Sequence, residues 1–189
     1  RGLGDVYKRQ MGDGTTASGN ESTAMGYDTT ASGDYSTAMG NGSTASGTSS
    51  LAIGLSSTAS DSHSIAIGRS TTSSGSHSVA MGFGTTASGS YSTATGAYTT
   101  ASDFGSTVIG QYNSSGSSVT GSATAFSTAN TAFVIGNGTA SNAKSDAFKV
   151  MFNGDTTIGN DATIGNDATI GNDLTVSGDV VISSDARLK

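Results

Sequence analysis

His63 and His77 stand fourteen residues apart, and Asp155, Asp161, Asp167, Asp173, Asp179 and Asp185 stand six apart. Imidazoles repeated at a fixed spacing can hold a metal ion. Aspartates repeated at Gly-Asp and Asn-Asp turns can coordinate Ca²⁺. The sequence favours the plainer reading of both. No carboxylate or thiol repeats beside the histidines, and Tyr35 and Tyr91 share their column, so this is a column of exposed turn residues just ahead of a strand. Calcium-binding rolls use a G-G-x-G-x-D nonapeptide, whereas the period here is six, and Asn-Asp and Gly-Asp are ordinary turn formers that also deter edge-to-edge aggregation. Tyr27, Tyr35, Tyr91, Tyr98 and Tyr112 are expected to face outward, where a glycan or protein contact competes with the ordinary scatter of exposed aromatics. The glycines have a periodic explanation and no G-K-(S/T) follows them, so no phosphate loop is read. Neither a metal nor a cofactor is expected.

All but the aspartates sit on one repeat. The motif S-x-A-(M/I)-G recurs every fourteen residues, its glycine falling at Gly12, Gly26, Gly40, Gly54, Gly68, Gly82, Gly96 and Gly110. A short period held without slip means a solenoid, whose function lies in surface and length rather than in a pocket. Ser50-Leu51-Ala52-Ile53-Gly54, Ser64 to Gly68 and Ser78 to Gly82 show the rung cleanly: larger residues two apart with Ala between, which is strand alternation. The half-rung Thr86-Ala87-Ser88-Gly89 predicts a second, shorter strand. Two strands and two tight turns per fourteen residues make a flattened β-roll, with Gly expected to supply positive φ at the corners.

Two columns are nearly pure Ala: 24, 38, 52, 66, 80, 94 and 17, 31, 45, 59, 87, 101. Small residues in register imply close approach of two backbones. A partner column holds Met25, Met39, Ile53, Ile67, Met81 and Ile109. One face is expected to line the lumen and the other to pack on a neighbouring chain; which Ala column faces inward stays open. So thin a roll buries little apolar area alone, so self-association is expected. Eight rungs at a strand spacing of roughly 4.8 Å give a rod of about 38 Å.

Composition alone would suggest disorder in this chain of 189 residues, because bulky apolar residues are scarce. The register overrules that, since disordered chains have no reason to keep one. The absence of Pro suits uninterrupted ladders. The absence of Cys excludes disulfides and thiolate sites. Net charge is −6, and Arg69 is the only basic residue between Met11 and Ala143, so no nucleic-acid groove is expected. No apolar run reaches membrane-spanning length and no secretory signal is visible, so membrane attachment is expected only through an anchor outside this sequence.

The chain divides into five stretches. Residues 1–10 depart from the repeat, hold three of the eight basic residues, and read as a non-native or artefactual N-terminus. Residues 11–112 are the roll. Residues 113–154, rich in Phe, form a neck in which the period breaks and one rung-like motif returns as Phe133-Val134-Ile135-Gly136. Residues 155–183 repeat every six, from Thr157-Ile158-Gly159-Asn160-Asp161-Ala162 onward. Six extended residues span only about 20 Å, too little to close a coil, so a trimeric stalk with one wall per chain is expected. Residues 184–189 stand apart as S-D-A-R-L-K.

The roll resembles the head of YadA-like trimeric autotransporter adhesins, whose S-V-A-I-G-type repeat has its counterparts in Ser50 to Gly54, Ser64 to Gly68 and Ser78 to Gly82. The resemblance covers roughly half the chain and departs from the pattern at Thr23, Thr37, Thr93 and Thr95, where the large apolar residue is replaced. It implies an all-β, left-handed parallel β-roll and a homotrimer at the cell surface, attached to an outer membrane. Such heads are adhesive, so a host-cell or matrix protein or a glycan is the implied partner. Ser184 to Lys189 resembles the entrance of the endosialidase-type intramolecular chaperone domain, which trimerises phage tail fibres and some bacterial surface proteins and then cuts itself off. That resemblance implies scission between Ser184 and Asp185, with Ser184 as nucleophile and Lys189 as its base, a Lys of depressed pKa being able to deprotonate a hydroxyl. It also opens the alternative of a virion tail fibre or spike segment. With only this entrance present, no enzymatic activity is expected of the chain itself.

Overall fold

The computed structural model describes residues 8–162. Eight five-residue strands recur along the chain: β1 (Arg9–Asp13), β3 (Thr23–Tyr27), β5 (Thr37–Asn41), β7 (Leu51–Leu55), β9 (Ile65–Arg69), β11 (Val79–Phe83), β13 (Thr93–Ala97) and β15 (Thr107–Gln111). Two-residue strands alternate with them: β2 (Thr16–Ala17), β4 (Thr30–Ala31), β6 (Thr44–Ala45), β8 (Thr58–Ala59), β10 (Thr72–Ser73), β12 (Thr86–Ala87) and β14 (Thr100–Ala101). Long strands pair in parallel with long, and short with short. Each residue meets its counterpart fourteen positions on, as in Ala52↔Ala66 and Thr58↔Thr72. The product is an all-β parallel solenoid of about seven turns with fourteen-residue rungs. β1 begins at Arg9, so Arg9 and Gln10 pair with Thr23 and Ala24 although neither fits the consensus.

The glycines hold the rungs together. A Cβ built on Gly54 would fall on the carbonyl oxygen of Gly68, and the same collision recurs from Gly12 to Gly110. The half-rung glycines meet the same barrier, Gly33 against Gly47 and Gly75 against Gly89. Close approach excludes a side chain at each of these glycines, although Asp61 and Asp103 take the half-rung position in two of the rungs. The expectation that glycine supplies positive φ holds at the end of each long strand, where Gly12 to Gly110 take values between 95° and 135°, but not at most of the left-handed corners. Positive φ at the two corners of each rung is carried mostly by other residues: Glu21 (53°), Tyr35 (59°), His63 (58°) and Tyr91 (59°) at one, Asp28 (53°), Ser56 (54°) and Tyr98 (54°) at the other. Gly14, Gly42, Gly84 and Gly105 take the same corner positions. A left-handed residue costs about 1–2 kcal/mol, which the ladder bonds on either side oblige it to bear.

Both Ala columns face inward. Ala24 to Ala94 and Ala31 to Ala101 are fully buried within one chain, so neither serves as a contact between chains. Because side chains alternate along a strand, the larger column of Met25, Ile53 and Ile67 must turn outward. Ser22, Ser36, Ser50, Ser64, Ser78 and Ser92 complete the lining with Thr29, Thr71, Thr85 and Thr99. Several hydroxyls close back on the preceding turn, such as Ser64 Oγ to the Asp61 carbonyl at 2.6 Å and Ser78 Oγ to that of Gly75 at 2.6 Å. Ser73 stands in the Ala column, and its hydroxyl donates to the Ser78 carbonyl at 2.9 Å. An Ala methyl contributes only about 0.8 kcal/mol on burial, so the lumen is a spacer more than a driving core.

The second sheet stops at β14 while the first continues. β15 pairs in parallel with β16 (Thr131–Asn137), which contains Phe133 to Gly136, and β17 (Asp146–Met151) and β18 (Thr156–Ile158) follow antiparallel. Val108 and Val134 replace Ala in the inward column and are fully buried. The intervening loop seals the open end of the second sheet with side chains that imitate a further rung. Asn113 Oδ1 accepts from the Thr100 amide at 2.8 Å, and its Nδ2 donates to the Thr100 carbonyl at 2.9 Å and the Ser115 carbonyl at 2.7 Å. Asp103 is fully buried. It accepts from the amides of Thr120 (2.7 Å) and Thr131 (2.8 Å) and from the Thr120 hydroxyl. Burial acts to raise its pKa, but the Thr120 hydroxyl and the Thr131 and Thr120 amides outweigh it and hold the carboxyl below its ordinary 3.8. Of the six-residue repeat, the first hexad contributes to β18 and its tail; residues 163–183 lie outside the described residues, as do Ser184, Asp185 and Lys189.

Gly54→Ala should lower stability by about 3 kcal/mol or more in thermal unfolding followed by circular dichroism, through clash and positive φ together. Gly42→Asn should lie within about 0.5 kcal/mol of wild type, because only the Ser56 hydroxyl approaches that Cβ, at 3.6 Å, and Asp28 already adopts the same corner. Asp103→Ala should cost roughly 3 kcal/mol by stranding three donors. Because the folded-state pKa is depressed, the Asp103 contribution is complete above the unfolded value and is lost as pH falls through the folded one. Acid titration of Asp103→Asn should therefore show a shallower loss of stability below about pH 4 than wild type.

Candidate functional site

With the lumen closed by Ala, Ser and Thr, whatever this segment recognises must meet its outer surface. The long-strand face presents two outward columns. Thr23, Thr37, Leu51, Ile65, Val79, Thr93 and Thr107 form one, and Met25, Met39, Ile53, Ile67, Met81, Thr95 and Ile109 the other. All are half-buried except Met81, which is 40% exposed. The central three rungs, Leu51 with Ile53, Ile65 with Ile67 and Val79 with Met81, are apolar in both columns. The expected departures at Thr23, Thr37, Thr93 and Thr95 fall at the two ends of this stripe.

The short-strand face is of opposite character. Thr30, Thr44, Thr58, Thr72, Thr86 and Thr100 run along it half-buried, beside the exposed Ser32, Ser46, Ser60 and Ser74. It is an even array of hydroxyls without charge. One side of the rod is thus apolar and the other is hydroxylated.

The two corners carry rings. His63 stacks on His77 with centroids 4.6 Å apart, His77 stacks on Tyr91 at 4.8 Å, and Tyr91 meets the edge of Phe104 at 5.3 Å. At the opposite corner the Arg69 guanidinium lies 5.2 Å from the centre of Phe83, Phe83 meets the edge of Tyr98 at 4.7 Å, and Tyr98 stacks on Tyr112 at 4.7 Å. The column shared by His63, His77, Tyr35 and Tyr91 is therefore real, though Tyr35 is separated from the stack by Ser49. The Ser76 hydroxyl lies 2.9 Å from His77 Nδ1. Among the described residues no three His, Asp, Glu or Cys side chains come together as metal ligands. The stacked ladders were not read from the sequence. Their signal was available, because rings fourteen residues apart on a solenoid must lie one rung apart.

These features define a class: a parallel β-solenoid with a lumen of small residues and a two-faced exterior, built to present surface along a rod. The YadA head domain repeat (2 copies) matches residues 12–43, 45–71 and 73–99. Over that stretch the solenoid of about seven turns is similar to, and consistent with, a YadA-like head. The rungs of β15 and β16 continue the same stack beyond the matched residues. A comparison with curated proteins found no match.

Proposed function

We propose that this chain is the adhesive head, with the beginning of the stalk, of a secreted homotrimeric protein displayed at the cell surface and held at the outer membrane by another part of the protein. The observation that carries the reading is the apolar stripe centred on Leu51, Ile53, Ile65, Ile67, Val79 and Met81, set in the same unbroken register as the YadA head repeats. A stripe of this kind on a thin rod favours association, since one chain cannot bury it. Three chains turning their long-strand faces to a common axis would cover it and leave three hydroxylated faces outward. A host-cell or matrix protein or a glycan is the partner those faces suit, met by hydroxyls and exposed rings in many equivalent positions. The role is display, without catalysis by the head.

Sedimentation of the chain tests the assembly. Wild type should sediment with the mass of three chains. Ile53→Asp combined with Ile67→Asp should shift it to one chain or to aggregate, because each charge would be driven into the covered stripe. Thr44→Asp combined with Thr58→Asp, on the other face, should leave the trimer intact. A monomeric wild type would overturn the reading.

A second reading is favoured by one sequence feature, the S-D-A-R-L-K run at 184–189. In it the same rod is a segment of a phage tail fibre or tail spike released by self-cleavage before Asp185. In a longer chain carrying a chaperone domain after Lys189, Ser184→Ala should abolish cleavage at that bond, read as a single uncut band on a denaturing gel. Cleavage that persists in this variant removes Ser184 from the role.

A further inference from the structure

The two aromatic ladders occupy the same four rungs. At the corner before each long strand stand His63, His77, Tyr91 and Phe104; at the corner after it stand Arg69, Phe83, Tyr98 and Tyr112. Each pair brackets one strand: His63 precedes β9 and Arg69 ends it, His77 precedes β11 and Phe83 ends it, while Tyr91 and Tyr98 flank β13 and Phe104 and Tyr112 flank β15. In the earlier rungs the corner before the strand holds Glu21, Tyr35 and Ser49, and the strand end and corner after it hold Tyr27 and Asp28, Asn41 and Gly42, Leu55 and Ser56. Tyr27 and Tyr35 are exposed there, but no ring stacks on another among these described residues. Nothing within one chain requires this coincidence, because the two corners lie on opposite sides of the sheet and do not touch.

A ring of chains does require it. In a closed cyclic assembly the contact is heterologous, so the leading edge of each subunit meets the trailing edge of the next, and rotation about the axis brings equal rungs to equal heights. Unlike corners of the same rung are therefore brought face to face. The charges agree with this. Arg69 is the only basic residue between Met11 and Ala143. At the other corner of the same rung, two residues before His63, stands the exposed Asp61.

We propose that the head is closed along these four rungs by an aromatic seam between copies of this chain. His63, His77, Tyr91 and Phe104 of one protomer lie against Arg69, Phe83, Tyr98 and Tyr112 of its neighbour, and Arg69 faces Asp61 across the seam. The seam rests on the homotrimer proposed above and adds to it. The apolar stripe gives attraction towards the axis. The seam fixes axial register, because a slip by one rung would leave a ring without its counterpart and part Arg69 from Asp61. The four earlier rungs, lacking ladders, contribute little to the choice of register.

The natural chain has no cysteine, so introduced pairs can be read cleanly. The full chain carrying His77→Cys and Phe83→Cys is oxidised, or treated with a short bismaleimide, and run on a denaturing gel. Five residues separate the two positions along an extended strand, well beyond the roughly 7 Å that a disulfide spans between Cα atoms, so a bond can form only between chains. The expected product is a covalent trimer replacing the single-chain band. His77→Cys alone should give no linked species, since like corners do not meet in a ring. Wild-type sedimentation separates the two ideas. A wild-type monomer overturns the trimer itself. A trimer whose double variant stays trimeric but yields no covalent product overturns the seam alone. Linked dimers from His77→Cys alone also overturn it. A trimeric wild type whose double variant sediments as a monomer supports the seam, because the lost rings were then holding the chains together.

Discussion

The contact on which the rest depends is glycine on glycine at the end of each long strand. No Cβ fits between Gly54 and the Gly68 carbonyl, so successive rungs must superpose at the spacing of a β-ladder. Once they do, every other position becomes a column. The Ala methyls align into a lumen, the corner residues are forced into the left-handed region whatever their type, and outward residues such as Ile53 and Ile67 fall into line. One local constraint on approach thus converts a fourteen-residue motif into faces many rungs long. It also explains why scarce apolar residues suffice: order comes from repetition of the ladder, with a lumen that only has to be small and shared.

The rung itself was legible from spacing. Glycines fourteen apart and larger residues two apart around an Ala yield strand, turn, strand and turn without further information, and β3 to β15 follow that pattern. The direction of the faces was less legible. Periodicity shows that Ala24 and Ala38 share a column but not on which side, and both Ala columns proved to face the lumen because each occupies the inward side of its own strand. The corners were legible only in part, for a physical reason: glycine does carry positive φ at each strand end, from Gly12 to Gly110. A short composition signal assigns positive φ to Gly, while here cooperative ladders on both sides impose it on Glu21, Tyr35 and His63. The cap was not legible, since Asp103 and Asn113 act at long range: Asp103 reaches Thr120 and Thr131, and Asn113 reaches back to Thr100. Both stand in the fourteen-residue register, after Gly89 and Thr99, but the register does not show that their side chains take over from the next rung.

The two sheets end differently, and the difference organises the C-terminal side. The short-strand sheet is terminated by side chains, with the Asn113 amide standing where a peptide group of the next rung would be. The long-strand sheet passes on into β16 and then reverses through β17 and β18. Head and hairpin therefore share a sheet, and the loop that closes one face is held by a carboxylate at each side of it, Asp103 below and Asp146 on β17, whose oxygens accept the Ser114 and Ser115 amides at 2.8 Å each. Folding of the cap and folding of the hairpin are thereby coupled through charged hydrogen bonds.

Because the ladder bonds run along the rod while the strands lie across it, a pull applied end to end loads the rungs in series. Each rung carries the whole tension, and the strength of the rod is that of its weakest joint rather than the sum of its bonds. The joint above β14 is set apart: there the short-strand sheet passes its share to the Asn113 amide and the loop behind it. The load on that side is carried there by side-chain and loop hydrogen bonds, between Asn113 and Thr100 and between Ser102 and Gly116, in place of a continuing strand.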